Sequence, residues 1–276
     1  MLKNFIPNFR YKISVGKRRK SIPAFWFNAV RNAGDLVTPF ILKREGFSPK
    51  LIDPKDAILL SCGSIMQRVP SDFENYIFGS GFLNEGPSVE LSKAKVIAVR
   101  GKFTRDRINA PKNTVLGDPG LLMSEFLQTR SKKKYLVGLI PHYSEKKDPL
   151  LPKLLDTYQK SVLFIDIQTD PLVVLKKIDQ CEYIFSSSLH GNIFSDSLLI
   201  PNCWVSFSKF NSSKFFKFND YYSSLDMEGV EPISLLKCHS LEEVVERVSN
   251  PPEEKINKIK MKLRTSFDQI VQILQN

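Results

Sequence analysis

The residue best placed for chemistry is a histidine on a strand-to-helix turn. Tyr183-Ile184-Phe185 reads as a strand, leads into Ser186-Ser187-Ser188-Leu189-His190-Gly191, and a new apolar pattern starts at Ile193. A helix start offers backbone N–H groups that attract an anion, and an imidazole beside it can move a proton near neutral pH. Anion capture and proton transfer would then share one loop.

Other segments repeat the arrangement of a strand followed by small or charged residues. In Asn32-Ala33-Gly34-Asp35, Asp35 either caps the apolar segment that follows or accepts a hydrogen bond, or a proton, from a sugar hydroxyl that Gly34 lets come close. Ile77-Phe78-Gly79-Ser80-Gly81 and Leu60-Ser61-Cys62-Gly63-Ser64 are either tight turns or cradles for an anion, and neither completes a dinucleotide or P-loop motif. Val96 to Val99 ends in Arg100-Gly101, which places a planar cation where it can grip a carboxylate or phosphate. Arg105, one turn on, is equally well explained by an ion pair with Asp106. Asp118, in Gly117-Asp118-Pro119-Gly120, reads as a turn residue bonding its own backbone. His142 follows the strand Tyr135 to Ile140 and is either solvated or aimed at the same cleft.

These turns need a scaffold of buried parallel strands, which read as continuous apolar runs. Ala57–Cys62, 76–78, 96–99, 135–140, 162–167, 183–185 and 204–207 fit, with helices over 149–160, 171–181 and 196–199 between them. The class is α/β, doubly wound. Apolar periodicity stops at Gln128 to Lys134, dividing the chain into an N-terminal unit, 1–130, and a C-terminal unit, 131–276. Ligands of such folds bind at the carboxyl ends of the strands, so the cleft between the units is the expected site. Ser240 and Glu243 form a capping box, and Ile256, Ile259, Leu263, Phe267, Ile270 and Leu274 mark an amphipathic terminal helix that would dock on a domain surface.

The 276 residues, 42% of them apolar, suffice for two cores, and 40 basic against 29 acidic residues leave a formal charge of +11 that favours an anionic partner. Lys3, Arg10, Lys12, Lys17, Arg18, Arg19 and Lys20 concentrate that charge near the start, where peripheral contact with an anionic membrane is one use for it. No apolar stretch of signal or spanning length occurs, so a cytoplasmic protein is expected. Cys62, Cys181, Cys203 and Cys238 lie far apart without a C-x-x-C pair, favouring buried thiols over disulfides or zinc.

Taken in order, N-x-G-D at Asn32 to Asp35, V-R-G at Val99 to Gly101, G-D-P-G at Gly117 to Gly120 and S-S-L-H-G at Ser187 to Gly191 resemble the polysaccharide pyruvyltransferase family over roughly Asn32 to Trp204. The resemblance implies two Rossmann-like domains facing a central cleft, as in GT-B glycosyltransferases, and transfer of pyruvate from phosphoenolpyruvate to sugar hydroxyls without metal or other cofactor. The acceptor would be a glycan, lipid-linked if the enzyme works at the inner membrane face. Many members carry an arginine where this chain has Ser188, which shifts donor binding towards Arg100 or towards a lysine that the sequence does not identify. The expected catalytic residues are His190 and Asp35. Arg100, Ser188, Leu189, Gly191, Arg105 and His142 are expected to hold the donor, and Asn32, Gly34, Gly79 and Ser80 the acceptor.

Two other classes compete. A nucleotide-sugar glycosyltransferase would use the same cleft, but Glu182, the nearest acid to the glycine turn, precedes a strand and is badly placed for a ribose. A nucleic-acid binder is suggested by charge alone. Its one stacking candidate is the aromatic run Phe207 to Tyr222 among lysines, which could equally line the acceptor side of the cleft.

Overall fold

A computed structural model of the protein describes residues 19–207 and 215–276. Most of the basic N-terminal segment, and Phe210 of the aromatic run, lie outside the described residues.

Two all-parallel sheets organise the chain. The first is built from β1 (Ser21–Phe25), β2 (Ser48–Leu51), β3 (Leu59–Leu60), β4 (Tyr76–Ser80), β5 (Lys95–Val99) and β6 (Val115–Leu116), in the order β2-β1-β3-β4-β5-β6. The second contains β7 (Tyr135–Ile140), β8 (Val162–Phe164), β9 (Cys181–Ser186), β10 (Asn202–Ser206) and β11 (Ile233–Ser234), in the order β11-β10-β9-β7-β8. Every pairing is parallel. The connections carry α1 (Val37–Arg44), α2 (Lys102–Arg107), α3 (Leu150–Tyr158), α4 (Pro171–Ile178), α5 (Leu189–Ser197) and α6 (Phe215–Ser224); α7 (Leu241–Glu246) and α8 (Glu253–Gln275) follow β11.

Successive strand residues point to opposite faces. In the first sheet Ala24, Leu59, Phe78 and Ala98 enter one core while Phe25, Leu60, Ile77 and Val99 enter another. In the second, Ile140, Ile184 and Trp204 join the same core as Ala24, while Val137, Leu139, Phe185 and Val205 form a third. One apolar cluster thus includes a face of each sheet, with α1, α4, α5 and α8 packed into it.

Several expectations shift. β1 and β2 escape the apolar-run criterion because Pro23 and Pro49 interrupt them; at the sheet edge, where β2 lies, a missing N–H is tolerated. β6 and β11, two residues each, are too short to show a period. The helix expected over 196–199 is instead α5, which starts at Leu189, and all nine of its residues are buried. A helix covered all round has no polar stripe, so its period is invisible in sequence.

The terminal helix is amphipathic as expected, burying Ile256, Ile259, Leu263, Phe267, Ile270, Val271 and Leu274. It docks against β5, β6 and the 3₁₀ segment Pro119–Phe126, and Phe267 stacks on Phe78 at 5.2 Å between ring centroids. Ser240 caps α7 by accepting from the Glu243 N–H.

Candidate active site at the carboxyl ends of both sheets

A cavity of about 220 Å³ collects residues that follow the carboxyl ends of strands in both sheets. Phe27, Asn32 and Asp35 come from the segment after β1, Ser64, Gln67 and Arg68 from the segment after β3, and Leu83 from beyond β4. From the second sheet come His142 and Tyr143 after β7, Ser188, Leu189 and His190 after β9, and Lys217 from α6 beyond β10. Open parallel sheets place ligand sites here because their loops converge and helix N-termini point inward.

His190 sits in the first turn of α5, behind the N-cap Ser188. Its side chain is 10% exposed. Nε2 lies 3.2 Å from Cys62 Sγ and 3.7 Å from Asp118 Oδ2. Cys62 donates its thiol to Asp118 Oδ1 at 3.1 Å, and the Gly120 N–H donates to the same oxygen at 2.8 Å. Burial alone would raise the Asp118 carboxyl; His190 and the hydrogen bonds from Gly120 and Cys62 instead hold it below the usual carboxylate range. Burial, reinforced by Asp118, pushes the Cys62 thiol well up, so its sulfur stays protonated.

The face of the imidazole over Nδ1 and Cγ lies against Gly34. A Cβ built there would stand 1.9 Å from Nδ1, so any side chain would collide with the ring. Asn32 sets this turn by accepting the Gly34 N–H at 2.9 Å. Asp35 does not cap α1: the N-cap is Leu36, and no side chain bonds to it. Burial raises the Asp35 carboxyl to about 6, against the opposing pull of His190 and Lys217. An acid titrating there is mostly ionised at pH 7 yet ready to take a proton.

A family comparison gives this geometry its context. The sequence model described as Polysaccharide pyruvyl transferase matches residues 3–209, about three quarters of the chain. The chain belongs to the polysaccharide pyruvyl transferase family. An uncharacterized protein of Acanthamoeba polyphaga mimivirus is 34% identical over 237 residues, covering 78% of each chain. The succinoglycan biosynthesis protein ExoV of Rhizobium meliloti (strain 1021) is 26% identical over 176 residues, 62% of this chain and 54% of that protein. A Klebsiella pneumoniae crystal structure of uncharacterized function aligns over 79% of this chain and 92% of its own, at 13% identity and a TM-score of 0.44. Family membership supports a pyruvyltransferase role in polysaccharide biosynthesis.

Of the motif residues that carry the family resemblance, Asn32, Asp35, Ser188, Leu189 and His190 reach the cavity, as does His142. Gly34 supports it from behind His190. Arg100 does not reach it. Its side chain is fully buried, donating from Nε to Asp220 Oδ2 at 2.9 Å, from Nη1 to Ser64 Oγ at 2.7 Å and from Nη2 to the Phe82 carbonyl at 2.6 Å. The guanidinium therefore stands one residue behind the cavity wall, with Ser64 between. Arg105 pairs with Asp106 on α2, away from the cavity. Gly79 (φ +78°) turns against Pro119, buried Ser80 donates to the Ser61 carbonyl, and Gly191 lets α5 press on Ser186. These three shape the fold rather than the cavity wall.

Sequence reasoning missed the cavity's own cations. Lys217 lies inside the aromatic run, whose lysines gave no hint of which one turns inward. Arg68, over the Phe27 ring at 5.3 Å, follows β3 where only glycines drew notice. Cys62, Asp118 and His190 have ligand atoms within 4.8 Å of one another, the spacing of a metal site. The same three residues also form a hydrogen-bonded cluster, in which the thiol donates to the carboxylate and burial opposes its ionisation.

Proposed function

We propose that the protein moves pyruvate from phosphoenolpyruvate onto two hydroxyls of one glycan residue, closing a cyclic ketal and releasing phosphate. The observation that carries this reading is the convergence of an imidazole, a carboxylate near its titration point and a lysine on one cavity at the strand ends. His190 donates a proton to the methylene carbon of the enol, leaving an oxocarbenium-like centre at C2. Asp35 takes the proton of the first sugar hydroxyl as its oxygen attacks that centre. Departure of phosphate regenerates the cation, and the second hydroxyl closes the ring as its proton passes to the neutral His190, restoring the charge it gave up in the first step. Lys217, Arg68 and the N-terminus of α5 balance the carboxylate and phosphate charges that the donor brings. Donor anchoring thus passes from Arg100 to these groups, and no step requires a metal.

The two sheets are read as Rossmann-like halves of a GT-B-like enzyme, with acceptor on the first and donor on the second. The part of ExoV in succinoglycan biosynthesis supports an exopolysaccharide-type acceptor. No described helix is long and apolar enough to cross a membrane. A lipid-linked acceptor would be met at the inner membrane face through the basic N-terminal segment.

A coupled phosphate-release assay with phosphoenolpyruvate across a panel of glycans tests the reaction. Acceptor-dependent phosphate release, with thermal protection by phosphoenolpyruvate, supports it. Protection by nucleotide sugars alone would assign the cavity to glycosyl transfer instead.

A further inference from the structure

We propose that Asp118 is a positioning residue that keeps a proton on His190 Nε2, so that Nδ1, the nitrogen beside Gly34, is the one that exchanges a proton with the substrate. The assignment of proton transfer to His190 rests on the reaction proposed above; the choice of nitrogen does not.

The two ring nitrogens of His190 have different surroundings. Nε2 faces two groups that accept: the Asp118 carboxylate and the sulfur of Cys62, whose own hydrogen is committed to Asp118 Oδ1. Asp118 Oδ2 is wholly buried and has no hydrogen bond among the described residues. A buried carboxylate oxygen left in that state is costly, and the cost falls when a proton points at it. The nearest group that can supply one is Nε2–H at 3.7 Å, which shortens readily once the ring is charged. A proton on Nε2 is therefore favoured in the neutral ring as well as the charged one, and the site that empties and refills is Nδ1.

Gly34 packs its backbone on the ring face over Nδ1 and Cγ, so close that a methyl group there would occupy the ring's own space, and this contact holds the ring in its orientation. The charged groups bearing on the ring are Asp118 from the segment after β6, Asp35 from before α1 and Lys217 from α6; Cys62 is the uncharged titratable neighbour, and the Phe194 ring of α5 itself stands 6.1 Å away. Asp118 and Cys62 are the polar groups beside Nε2 among the described residues.

The chain contains three histidines, so long-range ¹H–¹⁵N spectra are simple to assign, with His190→Gln identifying the signals of interest. The neutral ring of the full-length wild-type protein should show the Nε2–H tautomer. In Asp118→Asn the transition between charged and neutral ring should move to lower pH by about one unit, the loss of an opposite charge at this range. The limb of the kcat–pH profile should move with it, while KM for phosphoenolpyruvate changes less than about threefold. Cys62→Ser should keep the tautomer. An Nδ1–H tautomer in the wild type would overturn the proposal, and that measurement needs no variant to fold. An Asp118→Asn protein whose ring titration and kcat profile overlay the wild type's would overturn it too, as would stoichiometric uptake of added zinc with loss of the Nε2 proton. Absence of pyruvyl transfer alongside an Nε2–H tautomer would reject the reaction and leave the tautomer assignment standing.

Discussion

Arg100 and His190 occupy matching positions in the two sheets, yet one is closed and the other open. Each follows the carboxyl end of a buried parallel strand, each stands near a buried aspartate from elsewhere in the chain, and each has a glycine pressed against its plane: Gly81 for Arg100 and Gly34 for His190. Around Arg100 every nitrogen donates, and Asp220 in turn accepts from the Thr104 N–H at 2.8 Å and the Thr104 hydroxyl at 2.7 Å. Around His190 one carboxylate oxygen has no hydrogen bond and part of the ring meets the cavity. A charge satisfied on all sides joins elements; a charge left partly unsatisfied retains the freedom to change protonation. The helix α6 serves both, since Lys217 faces the cavity while Asp220, one turn later, secures Arg100.

The contrast can be broken most strongly at the open end. His190→Ala should lower turnover on the order of 10² to 10⁴ while unfolding within a few degrees of wild type; turnover within a few-fold would remove its proton-transfer role. At the closed end, Arg100→Met leaves Asp220 as an uncompensated buried charge. A loss of about 3–5 kcal/mol in denaturant unfolding is expected, against a near-normal midpoint if the pair is unimportant. Lys217→Met should raise KM for phosphoenolpyruvate about tenfold, the worth of one charge-assisted contact, with a smaller change in kcat. An unchanged KM would shift donor anchoring to Arg68 and the helix start.

Asp35→Asn changes stability with a defined sign. The folded carboxyl titrates near 6 and the unfolded one near 3.8, so between those values the folded state binds the extra proton and stability falls as pH rises. Replacement by Asn removes that loss: above pH 6 the variant should gain up to about 3 kcal/mol, and below pH 4 the gain should vanish. Activity should fall at every pH. A variant less stable than wild type at pH 7 would mean that Asp35 makes a contact worth more than its desolvation costs.

What sequence could reveal follows the same division. The S-S-L-H-G turn was readable because a continuous apolar strand precedes it, and Asp35 because a glycine beside an acid is conspicuous. Asp118 bonds the Gly120 N–H two residues on, as expected of a turn aspartate, but its contact with Cys62, 56 positions back, had no local signal. Arg100 was correctly placed at a strand end, but its partner lies 120 residues away, and one sequence does not encode which distant carboxylate will arrive. Lys217 illustrates the same difficulty from the other side, since a lysine among aromatics looks alike whether it faces water or a ligand.

The position of α8 also bears on how the protein is made. Phe78, near the middle of the first sheet, finds its stacking partner at Phe267, and Gly117 at the end of β6 meets Ile259 and Leu263. During synthesis one face of a sheet finished by residue 116 therefore stays uncovered until α8 has cleared the ribosome, exposing apolar surface while the whole second sheet is still being made. Chaperone dependence should be concentrated in that interval, and a premature stop ahead of Glu253 should yield aggregate instead of a trimmed enzyme.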